Sequence, residues 1–139
     1  SAMESFAITV LSNQSLPLTD GITLVAVDDL RSGKTDLAKA LAQVEPAQSV
    51  ILLSHNPDII SDPLSRKTDL VLSGNTHGGQ IRLPFIGPVA TIPDELGQKY
   101  DEGLFSFDDT RLFITSGVGS SGPRSRLLNP PEIALLTIY

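Results

Sequence analysis

A chain of 139 residues with a net charge of -6 is long enough for one domain that buries about two thirds of its unfolded surface. Its 10 Lys and Arg residues are scattered, whereas a nucleic-acid backbone demands clustered cations. The absence of cysteine excludes disulfides, thiolate metal sites and Cys nucleophiles, and fits an intracellular, cytoplasmic setting.

Ser1-Ala2 ahead of Met3 reads as an expression scar, leaving 3–139 as a single domain. Phe6–Leu11 is rich in β-formers and stops at a turn-like Asn13-Gln14-Ser15, which predicts a first strand. Ile22–Val27, entered through Asp20-Gly21, predicts a second that pairs with the first as a hairpin. Leu37, Ala40, Leu41 and Val44 recur at helical spacing and predict a helix ending before Pro46, capped by Thr35 or Ser32 with Asp36 in its first turn. Ser32-Gly33-Lys34-Thr35 is no phosphate loop, because Asp28 stands where its first glycine is required.

Ser49–Ser54 is a continuous apolar run of the kind found in strands covered on both faces. Asn56-Pro57 reads as an N-cap and first position of a short helix through Ser61. Leu70–Ser73 predicts another buried strand, delivering Gly74–His77 at the end where open α/β sheets bind ligands. Residues 82–107 form a long excursion rich in Pro and Gly, with room for a hairpin. Its apolar segment Leu83–Val89 can meet a lipid surface, although packing against its own sheet is the commoner fate. Arg111–Thr115 and Glu132–Ile138 are predicted to close the chain as strands. The pattern fits a layered α/β fold: a mixed sheet with helices on one side.

Both histidines fall at strand-to-loop junctions, in Ser54-His55-Asn56-Pro57-Asp58 and in Gly74-Asn75-Thr76-His77-Gly78-Gly79-Gln80. Each alone is more often a hydrogen-bonded structural residue than a ligand. Asn75 suits a left-handed turn without any ligand. Gln80 can bond a substrate, yet satisfying its own turn is the commoner role. Asp58 is expected to cap locally, and Asp28-Asp29 to open a loop as solvated carboxylates. Gly117, Gly119 and Gly122 with Ser120 and Ser121 can form an anion nest beside Arg124, though such glycines more often simply turn the chain.

Taken together, the two histidine segments resemble the last two sequence blocks of the calcineurin-like metallophosphoesterases, in the branch that reads Leu-Ser-His-Asn-Pro-Asp and then Gly-His-Thr-His-Gly-Gly-Gln. Leu53–Asp58 matches the first in full, and Gly74–Gln80 matches the second with Asn75 in place of a histidine. Gly117–Pro123 and Asn129–Ile133 are similar to that branch's C-terminal ending, and Val25–Asp29 to a strand in its middle. The family's earlier Asp-x-His and Gly-Asn-His-Asp blocks do not occur here, so the chain looks like the C-terminal half of such an enzyme.

The resemblance implies the second half of a four-layer αββα sandwich, without its first sheet. It implies a site for two divalent ions (Mn, Fe or Zn) in the intact parent, with His77 on the first metal, and His55 and the weaker Asn75 on the second. Gly78, Gly79, Gln80 and Arg124 are the expected substrate contacts. The parent would hydrolyse a phosphomonoester, phosphodiester or pyrophosphate, while this chain alone, with weak metal binding or none, would be nearly inactive. The competing expectation is a non-catalytic binding or assembly module in which Asn75 marks a lost ligand. A sheet face without its partner sheet predicts a homo-oligomer, and any membrane or lipid contact of the parent would come through its missing N-terminal part.

Overall fold

Four apolar strands lying parallel organise the chain, and they bring the ends that carry both histidine segments to one rim. The computed structural model describes residues 4–6, 8–18, 21–89, 95–122 and 124–138, so Ser1-Ala2, Ala7, Asp20 and Pro123 of the segments above lie outside the described residues. Among the described residues the strands are β1 (Gln14–Pro17), β2 (Ile22–Ala26), β3 (Ser49–Leu53), β4 (Leu70–Ser73), β5 (Arg82–Leu83), β6 (Gly87–Pro88), β7 (Gly103–Phe107) and β8 (Thr110–Ile114), with one α-helix, α1 (Leu37–Leu41). The main sheet has the order β1-β2-β3-β4-β8-β7. β2, β3, β4 and β8 are mutually parallel, whereas β1 and β7 are antiparallel edges.

Parallel neighbours need crossovers, and the crossovers supply the covering layer. Leu37 and Ala40 of α1, together with Ile59 and Ile60 of the 3-10 segment Pro57–Ser61, pack on Val25, Val50, Leu52, Val71, Leu112 and Ile114. This is the mixed sheet with helices on one side that the sequence pattern implies. The opposite face is different. Leu24, Ile51, Leu53, Leu72 and Phe113 are only half-buried, so the apolar runs expected to be covered on both faces are fully covered on one.

Several local expectations are corrected. The first strand is not Phe6–Leu11 but Gln14–Pro17, paired with β2 from Gln14↔Ala26 to Pro17↔Thr23. Asn13, read as part of a turn, is buried and locks the strand's entry by donating to Asp28 Oδ2 and Lys34 O while accepting from Asp28 N and Asp36 N. Asp28 is therefore half-buried and paired, while Asp29 caps the turn at 30–32. The cap of α1 is Asp36, which accepts from Lys39 N at 2.9 Å; the hydroxyls of Thr35 and Ser32 donate instead to Asp28 O and Asp29 O. The helix ends at Leu41, well before Pro46, and the chain beyond it tightens into 3-10-like bonds such as Val44 N to Leu41 O.

Asn56 flanks its short helix without capping it, its Oδ1 accepting from Leu30 N at 3.2 Å. Asp58 does not act locally: it accepts from Leu96 N at 3.0 Å and ties down the distant excursion. Glu132–Ile138 is not a strand. Both sides of β8 are already taken by β4 and β7, and the segment hangs from Glu132, whose carboxylate accepts from Thr115 Oγ1 and Ser116 N. The excursion does contain a hairpin, β5–β6, but its apolar tip does not pack against the sheet, and Phe85 and Ile86 are exposed.

Candidate functional site

The C-terminal ends of β3, β4 and β8 meet at one rim. β3 runs into Ser54-His55, β4 into Gly74–His77 and β8 into Thr115–Gly117. Backbone bonds stitch these junctions together: Gly74 N donates to His55 O at 3.2 Å, Ser54 N to Leu72 O at 3.1 Å, and Thr115 N to Ser73 O at 3.0 Å. The His55 ring is exposed and lines a cavity of about 620 Å³ with Ser73, Gly74, Thr115, Glu132 and the half-buried sheet face. The Ser73 hydroxyl at its edge is buried without a hydrogen-bond partner among the described residues.

His77 does not line that cavity. Its Nδ1 lies 3.4 Å from Gly119 O, and with Nδ1 protonated, Nε2 remains as the basic nitrogen. The loop that carries it is unusual in its backbone. Asn75, His77, Gly78, Gly79 and Gln80 all have positive φ, at 67, 52, 57, 73 and 53°. A non-glycine residue held there costs about 1–3 kcal/mol and persists only where its surroundings over-determine it.

Those surroundings come largely from residues that the histidine motifs do not contain. Asn129, 3 % exposed, donates through Nδ2 to His77 O at 2.7 Å and to Gly78 O at 2.9 Å. Thr76 Oγ1 accepts from Gly78 N, and Arg82 donates to Gly78 O at 3.1 Å. Gln80 is bound twice to Ser121, donating to its carbonyl at 2.9 Å and accepting from its N–H. The Gln80 amide is thus occupied by the 117–122 loop. That loop is held in turn by Arg126, which donates to Gly119 O and Ser116 O. Arg124 is exposed on the same loop. The nest expected there has two of its donors engaged internally, Ser121 N by Gln80 and Gly117 N by Thr115 Oγ1.

The glycines are explained by close approach. A Cβ on Gly78 would lie 2.5 Å from Glu102 Oε2 and 2.7 Å from Asn129 Nδ2, and one on Gly79 would collide with Pro88 Cβ. Sequence reasoning placed Asn129 in a C-terminal motif without a role, and missed Arg126 and Glu102. The available signal was the Asn-Pro-Pro-Glu string, whose Asn129 turns back to this loop while its Glu132 holds the end of β8 through Thr115 and Ser116.

Whether these residues fit a pair of divalent ions is decided by the donors. His55, His77 and Asn75 offer neutral nitrogen and oxygen, whereas a two-metal cluster also needs bridging carboxylates. Among the described residues no group of three or more His, Cys, Asp or Glu side chains is placed to hold a metal ion. The acidic groups nearest the His77 loop, Asp101 and Glu102, are ion-paired to Arg82. The chain's own residues therefore do not fit a complete binuclear centre.

Comparison with known proteins decides the kinship. The chain is 37 % identical, over 99 % of its length, to an uncharacterised metallophosphoesterase, YkuE, of Bacillus subtilis, of which it covers 49 %. Along almost its whole length the chain is homologous to proteins named metallophosphoesterases. It is also 36 % identical over 98 % of its length to the UDP-2,3-diacylglucosamine pyrophosphatase LpxG of Chlamydia trachomatis, of which it covers 43 %. The phosphodiesterase YaeI of Escherichia coli is 34 % identical over 98 % of the chain, which covers 49 % of it. The chain thus spans about half the length of the curated relatives it matches, consistent with the C-terminal half of the family's fold. The relatives' family name implies divalent-metal use. No family model and no solved structure matches the chain.

Glu102 provides a pH test of the network behind His77. Burial pushes its carboxyl above the ordinary 4.5, Arg82 opposes that, and Asp101 and Glu132 reinforce it. A carboxyl raised in the folded state stabilises the fold below its unfolded value and loses that contribution as pH rises through its folded value. Relative to the native chain, Glu102→Gln should become progressively more stable as pH rises from 4.5 toward neutrality, read from thermal melts. A difference that falls with pH would show that the ionised carboxylate is the stabilising form.

Proposed function

We propose that this chain supplies the C-terminal half of a metal-dependent phosphoester hydrolase acting on a phosphodiester or pyrophosphate bond. The observation that carries the reading is the shared rim, where His55 and the Gly74–His77 loop stand on adjacent parallel strands joined by the Gly74 N to His55 O bond, in a chain related throughout to metallophosphoesterases. The names of two relatives, a pyrophosphatase and a phosphodiesterase, support the bond type.

In this reading His77 and His55 are the imidazole donors and Asn75 the neutral one. A metal pair bound across the complete site would supply electrophilic activation of the phosphoryl group. The chain's own contribution is orientation: a backbone fixed before any ligand arrives, with one His77 nitrogen directed at Gly119 O. Carboxylate donors would come from the other half of the fold. The isolated chain is therefore expected to hydrolyse bis-p-nitrophenyl phosphate in Mn no faster than Mn alone, in a colorimetric assay. Enzyme-like turnover that is abolished by His77→Ala would overturn the division of the site.

The half-covered sheet face is the second part of the proposal. Apolar area left in water costs about 25 cal/mol per Å², and Leu53, Leu72 and Phe113 lie beside the exposed Ile133. Two copies of this chain are expected to pair through that face. Sedimentation equilibrium at micromolar concentration should give a dimer mass, and a monomer mass would contradict it.

A further inference from the structure

The β5–β6 hairpin carries an apolar tip that nothing in the proposed hydrolase site uses. Leu83, Phe85, Ile86 and Val89 are 40, 109, 72 and 54 % exposed, and Leu127, joined to the hairpin base through Arg82 N and Gln80 O, is 50 % exposed. Single exposed apolar residues need no explanation, but a contiguous set marks an interaction surface. Phe85 is also held at φ 65°, a strained geometry for a bulky aromatic that here presents its ring to solvent instead of to a core.

The chemistry of the tip selects its partner. From Leu83 to Val89 no side chain is polar, whereas protein interfaces carry a polar rim and about one hydrogen bond per 100–200 Å². Pro84 and Pro88 have no N–H to desolvate. Ile86 N donates to Leu83 O at 3.2 Å and Val89 N to Ile81 O at 2.9 Å, within the hairpin itself. Internal satisfaction of backbone groups is what a hydrocarbon environment requires. Among the described residues no helix is long and apolar enough to cross a membrane, so the contact is a shallow one.

We propose that this tip is a wedge that inserts into the surface of a lipid bilayer, with Phe85 and Ile86 as its leading side chains. Because the net charge is -6, insertion is driven by apolar burial and not by attraction to anionic headgroups. Pro88 packs against Gly79 and Val89 bonds Ile81, so the wedge is mounted directly on the loop that carries His77 and would hold the rim beside the lipid surface. The inference rests on the tip alone and stands whether or not the parent is a hydrolase.

The test is co-sedimentation of the full chain with vesicles of pure phosphatidylcholine and of phosphatidylcholine mixed with phosphatidylglycerol. Binding to both is expected, and the double change Phe85→Asp with Ile86→Asp should weaken it by at least about tenfold. Both residues are exposed, and unchanged circular dichroism would show that the fold is kept. Three outcomes would overturn the proposal: a chain that stays in the supernatant, binding to anionic vesicles only, or equal binding by the double variant. A lipid-free self-association abolished by the double change would assign the tip to protein contact instead. Pairing through the sheet face would survive that change.

Discussion

The pin that Asn129 places on His77 O and Gly78 O is the interaction on which the rest of the rim depends. Without it, a loop with Asn75, His77 and Gln80 in the left-handed region has several kcal/mol of backbone strain to release, at about 1–3 kcal/mol per residue. With it, one buried side chain adds a second donor to each of two carbonyls, His77 O, which also accepts from Gln80 N, and Gly78 O, which also accepts from Arg82, and so ties the C-terminal segment to the loop. Asn129, with Glu102, also makes Gly78 obligatory, because these groups stand where a Cβ would be, and Pro88 does the same for Gly79.

Strand order explains why a C-terminal motif can reach a mid-chain loop. β8 lies beside β4, parallel and in register from Leu70↔Arg111 to Ser73↔Ile114, so whatever follows Ile114 emerges next to whatever follows Ser73. The chain then turns through Gly117–Gly122 and returns at Asn129. Gln80 braces the two loops against each other, and Arg126 holds the second of them together through Ser116 O and Gly119 O. The site is thus built by sheet topology first and by side-chain pinning second. It has the preorganisation a catalytic rim needs, but its donor set falls short of a complete metal cluster.

Much of this was legible in the sequence, and the exceptions have physical causes. The strands expected at 49–54, 70–73 and 111–115 are found at 49–53, 70–73 and 110–114, the first announced by its continuous apolar run, and the two histidine motifs pointed to the family. Asn13 does lie in a bend at φ 50°, but Gln14 and Ser15 beside it open β1, and the buried role of Asn13 was hidden because only the fold brings Asp28 and Asp36 to it. Glu132–Ile138 has a strand's composition, but β8, which it follows, is already paired on both sides, and the segment joins no ladder among the described residues. Asn129 was invisible in its role because its partners are more than fifty residues away. The exposed tip at Phe85 was misjudged for a related reason: composition reports that a segment is apolar, not whether the fold leaves anything to cover it.

Hydrogen exchange and backbone chemical shifts at Gly79 and Gln80, measured in chelator on the native chain and on Asn129→Ala, test the central claim most directly. The account predicts a loop that is protected and left-handed without any metal, and that loses both properties in the variant while β4 and β8 keep theirs, at a cost of about 1–3 kcal/mol in stability. A native loop that is disordered until metal is added, or a variant loop indistinguishable from the native one, would contradict it.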